Sequence, residues 1–164
     1  MSEKNESRTQ AIRGYVDGKI QWFWGLPENQ RRAELAKLRR GIGHAPGELP
    51  DLWGGLLQGM PASFYGTNGP SHEEWAVYLA LTLYALHQQS NDTVCMSQLG
   101  CTLGRAAKPD SIPLDYPQLA VDLYGLQCDV PQLAQLPANI RLRWGQDLYR
   151  NKKNESSETQ EKEN

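Results

Sequence analysis

Ser71–Gln89 reads SHEEWAVYLALTLYALHQQ, and its pattern decides the class of fold. Ser71 stands three residues before Glu74, the spacing of a capping box. In that arrangement the serine hydroxyl and the glutamate carboxylate each satisfy a backbone N–H that the first helical turn leaves without a partner. Pro70 lies just outside it. From Trp75 to Leu86 only Ala and Thr interrupt Trp, Val, Tyr and Leu. At helical spacing Trp75, Leu79, Leu83 and Leu86 line one face, while Val77, Tyr78, Leu81 and Tyr84 cover most of the others. A helix that is apolar all round is expected to be buried all round, in a core or a membrane. The run spans about a dozen residues, short of the ~20 that a membrane crossing needs. It predicts the central helix of a soluble, all-α domain.

The flanking segments agree. Upstream, Ile12, Tyr15, Val16, Ile20 and Phe23 recur at helical spacing and predict a first helix that ends near Trp24-Gly25. Pro27 suits the first turn of a second helix, PENQRRAELAKLRR, with Glu28 at the positive end of its dipole. On this helix Leu35, Leu38 and, just past it, Ile42 form a narrow apolar seam, and Gly41 and Gly43 end it. Turn-rich loops follow, interrupted by DLWGGLL with Trp53 as the expected anchor. Downstream, Met96, Leu99 and Leu103 at i, i+3 and i+7 predict a helix within Val94–Ala107, and Pro117–Leu126 a further one. Last, Asn139 is placed to cap IRLRWGQDLYR, with Ile140, Trp144 and Leu148 facing inward. No run of alternating apolar residues indicates a strand.

The chain of 164 residues has room for one domain, a compact helical bundle around the buried central helix that can divide into two small lobes. Met1–Gln10 and Asn151–Asn164 are polar, without an aliphatic or aromatic residue after Met1, and are expected to be disordered; the helical domain is residues 11–150. No signal peptide is expected at the polar N-terminus. Three cysteines, Cys95, Cys101 and Cys128, form no CxxC pair and fit a reducing cytoplasm.

Catalytic signatures fail one by one. His44, His72 and His87 are scattered, and HEEW at His72 lacks the second histidine of a zincin. Gly41, Gly43 and Gly47 do not have phosphate-loop spacing, and no strand precedes them. Glu73, Glu74, Asp122 and Asp147 sit at ordinary helix-start or i,i+4 positions, and the cysteines read as small core residues. No enzyme, metal, cofactor or small-molecule substrate is expected.

One feature points toward a ligand. Arg31, Arg32, Lys37, Arg39 and Arg40 share ten residues with a single acid, Glu34, in a chain whose net charge is −2. A basic helix face is commonly just solvated. Four of these residues are arginines, however, whose fork matches phosphate oxygens better than a lysine does. Arg105, Lys108, Arg141, Arg143 and Arg150 lie on other predicted segments that could converge with them. Trp22, Trp24 and Tyr65 could stack on unpaired bases, although the core is the expected place for large aromatics.

Five blocks in order, LAKLRRGIGHAPGELPDLW, EEWAVYLALTLYALHQQ, LGRA, IPLDYPQLAVDLYGLQ and IRLRWGQDLYR, resemble the CasB family, the small subunits of the type I-E CRISPR surveillance complex, Cascade. The resemblance covers most of residues 11–150. It implies a non-catalytic, all-helical subunit present as two copies beside other Cascade subunits and crRNA. Such subunits bind nucleic acid without sequence preference and stabilise the displaced DNA strand of the R-loop in antiviral defence. The resemblance carries the binding role to Arg31, Arg32, Lys37, Arg39, Arg40, Arg105, Arg141, Arg143 and Arg150, most firmly to Arg39 and Arg40, with Lys108 beside them. Family members usually have another Arg-rich helical stretch before the IPLDY block. Here Arg105–Asp110 runs almost directly into Ile112, so the chain is shortened between 108 and 112. An alternative keeps the fold and removes the nucleic acid: a helical protein–protein adaptor whose arginines meet acidic neighbours. No membrane partner is expected.

Overall fold

The computed structural model describes residues 2–89, 91–101 and 113–127. Five α-helices lie within them: α1 Ser2–Gly25, α2 Glu28–Arg40, α3 Trp53–Leu57, α4 His72–His87 and α5 Tyr116–Gln127. Single 3₁₀ turns occupy Pro50–Leu52 and Ala62–Phe64. The β contact among the described residues is an isolated bridge between Ser97 and Leu114. The fold is all-α.

The capping box forms as its spacing predicts. Glu74 N donates to Ser71 Oγ at 3.0 Å, and Ser71 N donates to Glu74 Oε2 at 2.8 Å. The same carboxylate accepts from Gly66 N at 2.9 Å, and the Ser71 hydroxyl donates to Phe64 O, so the cap also folds the loop before it. From this start α4 runs through the core against α1, α2 and α5. Ala76, Val77, Ala80, Leu81, Tyr84 and Ala85 are buried, together with Ile12, Val16 and Phe23 from α1, Leu35 and Leu38 from α2, and Leu119 and Ala120 from α5. Each large apolar side chain so buried stabilises the fold by roughly 1.5–3 kcal/mol. The buried phenols keep their polar ends satisfied: Tyr78 donates to Gly41 O at 2.5 Å, and Tyr84 accepts from Trp24 Nε1 at 2.8 Å. At the first of these contacts α2 and α4 approach so closely that a Cβ on Gly41 would lie 2.6 Å from the Tyr78 hydroxyl and 2.8 Å from Leu52 Cδ1.

The structure corrects several expectations. Helix α4 is not buried all round: Trp75 and Leu79 are half-buried, and Leu83 and Leu86 are exposed. The neighbouring helices cover a wide arc of α4 and stop short of that stripe. Trp53 is exposed, and Leu52 and Leu56 take the anchoring role. Ile42 is exposed because α2 ends at Arg40 and the seam with it. Residues 94–101 form a bend and a turn rather than a helix, with Met96 buried and Leu99 exposed.

At the N-terminus α1 starts at Ser2, inside the stretch that composition assigns to a disordered end. The polar first turns of α1, unlike its apolar half, meet the body through a charged contact. The Arg8 guanidinium lies 2.8 Å from the carboxylate of Glu73, which is buried on α4, and also donates to Ser63 O at 3.5 Å. A buried carboxylate needs a counter-charge, and a polar helix can supply one without apolar burial. Further along, Arg13 donates to Gln118 of α5. The expected Asn139–Arg150 helix, the shortening between 108 and 112, and the polar tail 151–164 lie outside the described residues.

Candidate nucleic-acid interface

Leu35 and Leu38 turn α2 toward α4, and this orientation decides what the five basic residues face. Arg31 is drawn inward. It is only 9% exposed, its guanidinium carbon lies 4.2 Å from the centre of the Trp24 ring, and Nη2 donates to Asp92 O at 3.1 Å. A cation over an indole face is attracted by the ring's quadrupole, so Arg31 joins α1, α2 and the 88–96 loop as a packing residue.

The other four reach further out, each with a partner. Arg32 is exposed. Its Nε donates to Asp92 Oδ1 at 3.0 Å, its Nη2 bonds Asp92 Oδ2, and Glu28 Oε1 lies 2.7 Å away. The hydrogen bond from Arg32 holds the Asp92 carboxyl below the usual aspartate range and raises the Arg32 guanidinium in turn. Half-buried Lys37 pairs with Glu34 at 2.7 Å, and half-buried Arg39 donates from Nη1 to Ala85 O at 3.2 Å. Arg40 is exposed and meets Asp51 loosely at 3.5 Å. The cluster that looks nearly unopposed along the chain is therefore faced by four carboxylates, three of them from outside residues 31–40. Pairs this exposed are screened by water and contribute little to stability.

A cleft opens on either side of α2. One, of about 250 Å³, is bounded by Arg31, Arg32, Leu35 and Arg39 and by Gln88, Gln89, Asn91 and Asp92. The other, of about 330 Å³, lies between Lys37, Arg40 and His44 and the segment Leu49–Leu52. His44 Nδ1 is 3.0 Å from Glu48 Oε1, and that hydrogen bond lowers the Glu48 carboxyl. The structure thus brings Arg31, Arg32, Lys37, Arg39 and Arg40 to one helix and divides them between packing and two clefts. Arg105, Lys108, Arg141, Arg143 and Arg150 lie outside the described residues.

Two participants are invisible to motif reading, Asp92 and Gln88. The Gln88 amide is buried just past α4 and folds the next loop: Nε2 donates to Asn91 O and, at 2.9 Å, to Val94 O, while Oε1 accepts from Met96 N at 2.8 Å. Asp92 is sixty residues from Arg32 in the chain, so no local spacing signals the pair. Among the aromatics, Trp24 is held in the packing by Tyr84 and Arg31, as expected. Trp22 and Tyr65 are exposed, against the expectation of burial. The Lys19 ammonium lies 5.0 Å from the centre of the Trp22 ring.

The three histidines are dispersed, His87 being 2.9 Å from the Tyr116 hydroxyl. Among the described residues no group of three or more His, Cys, Asp or Glu could hold a metal ion, and no helix is long and apolar enough to cross a membrane.

Residues 34–111 match the family described as CRISPR-associated protein Cse2. The fold is similar to the crystal structure of CasB from Thermobifida fusca, with a TM-score of 0.60 and 27% sequence identity over 84% of this chain and 97% of that one. No curated protein sequence matches the chain.

Proposed function

We propose, because the chain belongs to the CasB/Cse2 family of Cascade small subunits, that it is a non-catalytic subunit that grips nucleic-acid backbone along α2. The observation that supports this reading is the pair of clefts beside α2, each with a solvent-facing guanidinium at its mouth, Arg32 on one side and Arg40 on the other. Their carboxylate partners lie at the surface, where an ion pair is weak enough to be exchanged for phosphate. Phosphate contact gives affinity without reading sequence. In a cytoplasmic complex where guide–target pairing is a near-balanced exchange, such contacts to the displaced strand tip it toward the open state.

Arg32 and Arg40 lead the assignment, with Arg39 and Lys37 lining the clefts. Arg105, Lys108, Arg141, Arg143 and Arg150 are proposed to extend the same surface. Arg31 supports it from beneath, through Trp24. Partners are the other Cascade subunits, crRNA, the displaced target strand and a second copy of the chain.

One observation favours a second reading. Glu28, Glu34, Asp51 and Asp92 already face the cations, which suits a protein–protein adaptor with no nucleic-acid contact. A salt titration with unrelated single- and double-stranded DNA separates the two. Sequence-independent affinity that falls steeply with salt, and falls further in Arg39→Ala/Arg40→Ala with helical content unchanged, is expected. No binding at low salt, or binding untouched by that substitution, leaves the adaptor.

A further inference from the structure

The contact between Arg32 and Asp92 has a geometry that a surface ion pair does not require. Two guanidinium nitrogens of one arginine meet both oxygens of one carboxylate, Nε to Oδ1 at 3.0 Å and Nη2 to Oδ2. That is the fork-to-fork arrangement in which arginine also takes a phosphate group. The carboxylate stands at the wall of the cleft that Arg31, Arg32 and Arg39 share. We propose that Asp92 is a built-in competitor for phosphate: in the free protein its carboxylate fills the Arg32 fork, and bound nucleic acid displaces it. This rests on the nucleic-acid reading above and adds to it the device that sets the cleft's affinity.

The surroundings of Asp92 suit an exchange. Its backbone is held by groups from elsewhere in the fold, and its side chain is held by the Arg32 fork, with the Arg31 charge adding attraction. Buried Gln88 ties down Asn91 O, Val94 O and Met96 N on both sides of the loop, and Arg31, itself buried, holds Asp92 O at 3.1 Å. The carboxylate is hydrogen-bonded to Arg32 alone among the described residues. It can therefore rotate away while the loop keeps its shape. The Arg32 side chain is 59% exposed and that of Asp92 38%, so water can replace either partner. Glu28, one turn below at 2.7 Å, keeps Arg32 extended toward the cleft. Because Arg32 holds the Asp92 carboxyl below the usual range, the competitor stays charged near neutral pH. Its release depends on phosphate concentration rather than on protonation.

The test uses the full chain and a fluorescent single-stranded DNA oligonucleotide of arbitrary sequence at low salt. An exposed ion pair sets the scale, so Asp92→Asn should bind about two- to fivefold more tightly than the parent. Glu3→Gln, which removes an equal charge far along α1, should change affinity by less than about 1.5-fold because it is screened. In an Arg32→Gln background the gain from Asp92→Asn should vanish. A gain that persists there, or no gain at all, overturns the competitor while weaker binding by Arg32→Gln keeps the nucleic-acid reading. Absence of binding by both the parent and Asp92→Asn overturns both. If Asp92→Asn fails to fold, the parent decides the matter by NMR. The Asp92 carboxyl carbon should shift on saturation with the oligonucleotide, and an unmoved signal refutes the displacement.

Discussion

Helices α2 and α4 pack against each other and use their side chains in opposite ways. On α4 the apolar surface exceeds what its neighbours cover, so the helix is a core element with a leftover stripe at Trp75, Leu79, Leu83 and Leu86. On α2 just Leu35, Leu38 and Arg31 are buried, and the rest of the helix faces water and the clefts. The contrast teaches that residue type does not assign a role by itself. The leucines of α4 divide into core and surface, and the arginines of α2 divide into one that packs inward and others that face solvent and the clefts.

The sharpest way to break this comparison is within α4. Leu81→Ala removes a fully buried side chain and should cost about 2–5 kcal/mol in denaturant unfolding. Leu86→Ala, on the exposed stripe, should stay within about 0.5 kcal/mol. Equal losses at the two positions would mean that the stripe is covered in solution.

Where the two helices meet, Gly41→Ala places a methyl group against the Tyr78 hydroxyl and Leu52. An overpacking loss of roughly 1–3 kcal/mol is expected, with thermal unfolding as the readout.

Within α2, Arg31→Ala should lower stability by about 1–2 kcal/mol, since it strips the cation from Trp24 and the donor from Asp92 O. Arg40→Ala should leave stability within about 0.5 kcal/mol and reduce the salt slope of DNA binding by about one. The reverse pattern would exchange their assignments.

The smallest effect is a pH dependence at the C-terminal end of α4. Burial lowers the His87 imidazole below the usual histidine value of about 6.5. The unfolded chain then binds the proton more readily. Its contribution to stability is complete above that ordinary value and is lost as pH falls through the lowered folded one. His87→Gln should flatten this acid limb, measured as the midpoint of urea unfolding between neutral and mildly acidic pH.

Much of the fold was legible because its signals are local. Ser71 and Glu74 specify the start of α4, and the observed cap matches. The period of Ile12, Val16, Ile20 and Phe23 places α1, and Pro27 with Gly41 brackets α2. Residues 94–101 were misleading because the spacing of Met96 and Leu99 is too weak a signal to outweigh the pull of Gln88 on Met96 and the bridge from Ser97 to Leu114. The helical start of α1 at Ser2 carries no apolar signal, and its contact between Arg8 and Glu73 spans the fold.

For the candidate site, the basic residues were visible as a cluster, and their separation into roles was not. Composition and period alone determined an all-α chain, a capped apolar central helix and a cationic second helix, because these depend on residues within a turn or two of one another. Tertiary structure decided that Arg31 lies on Trp24, that Asp92 occupies the fork of Arg32, and that Leu83 and Leu86 face outward. Each of those outcomes depends on groups far apart in the chain, whose meeting is set by how the helices pack and by nothing in the local pattern.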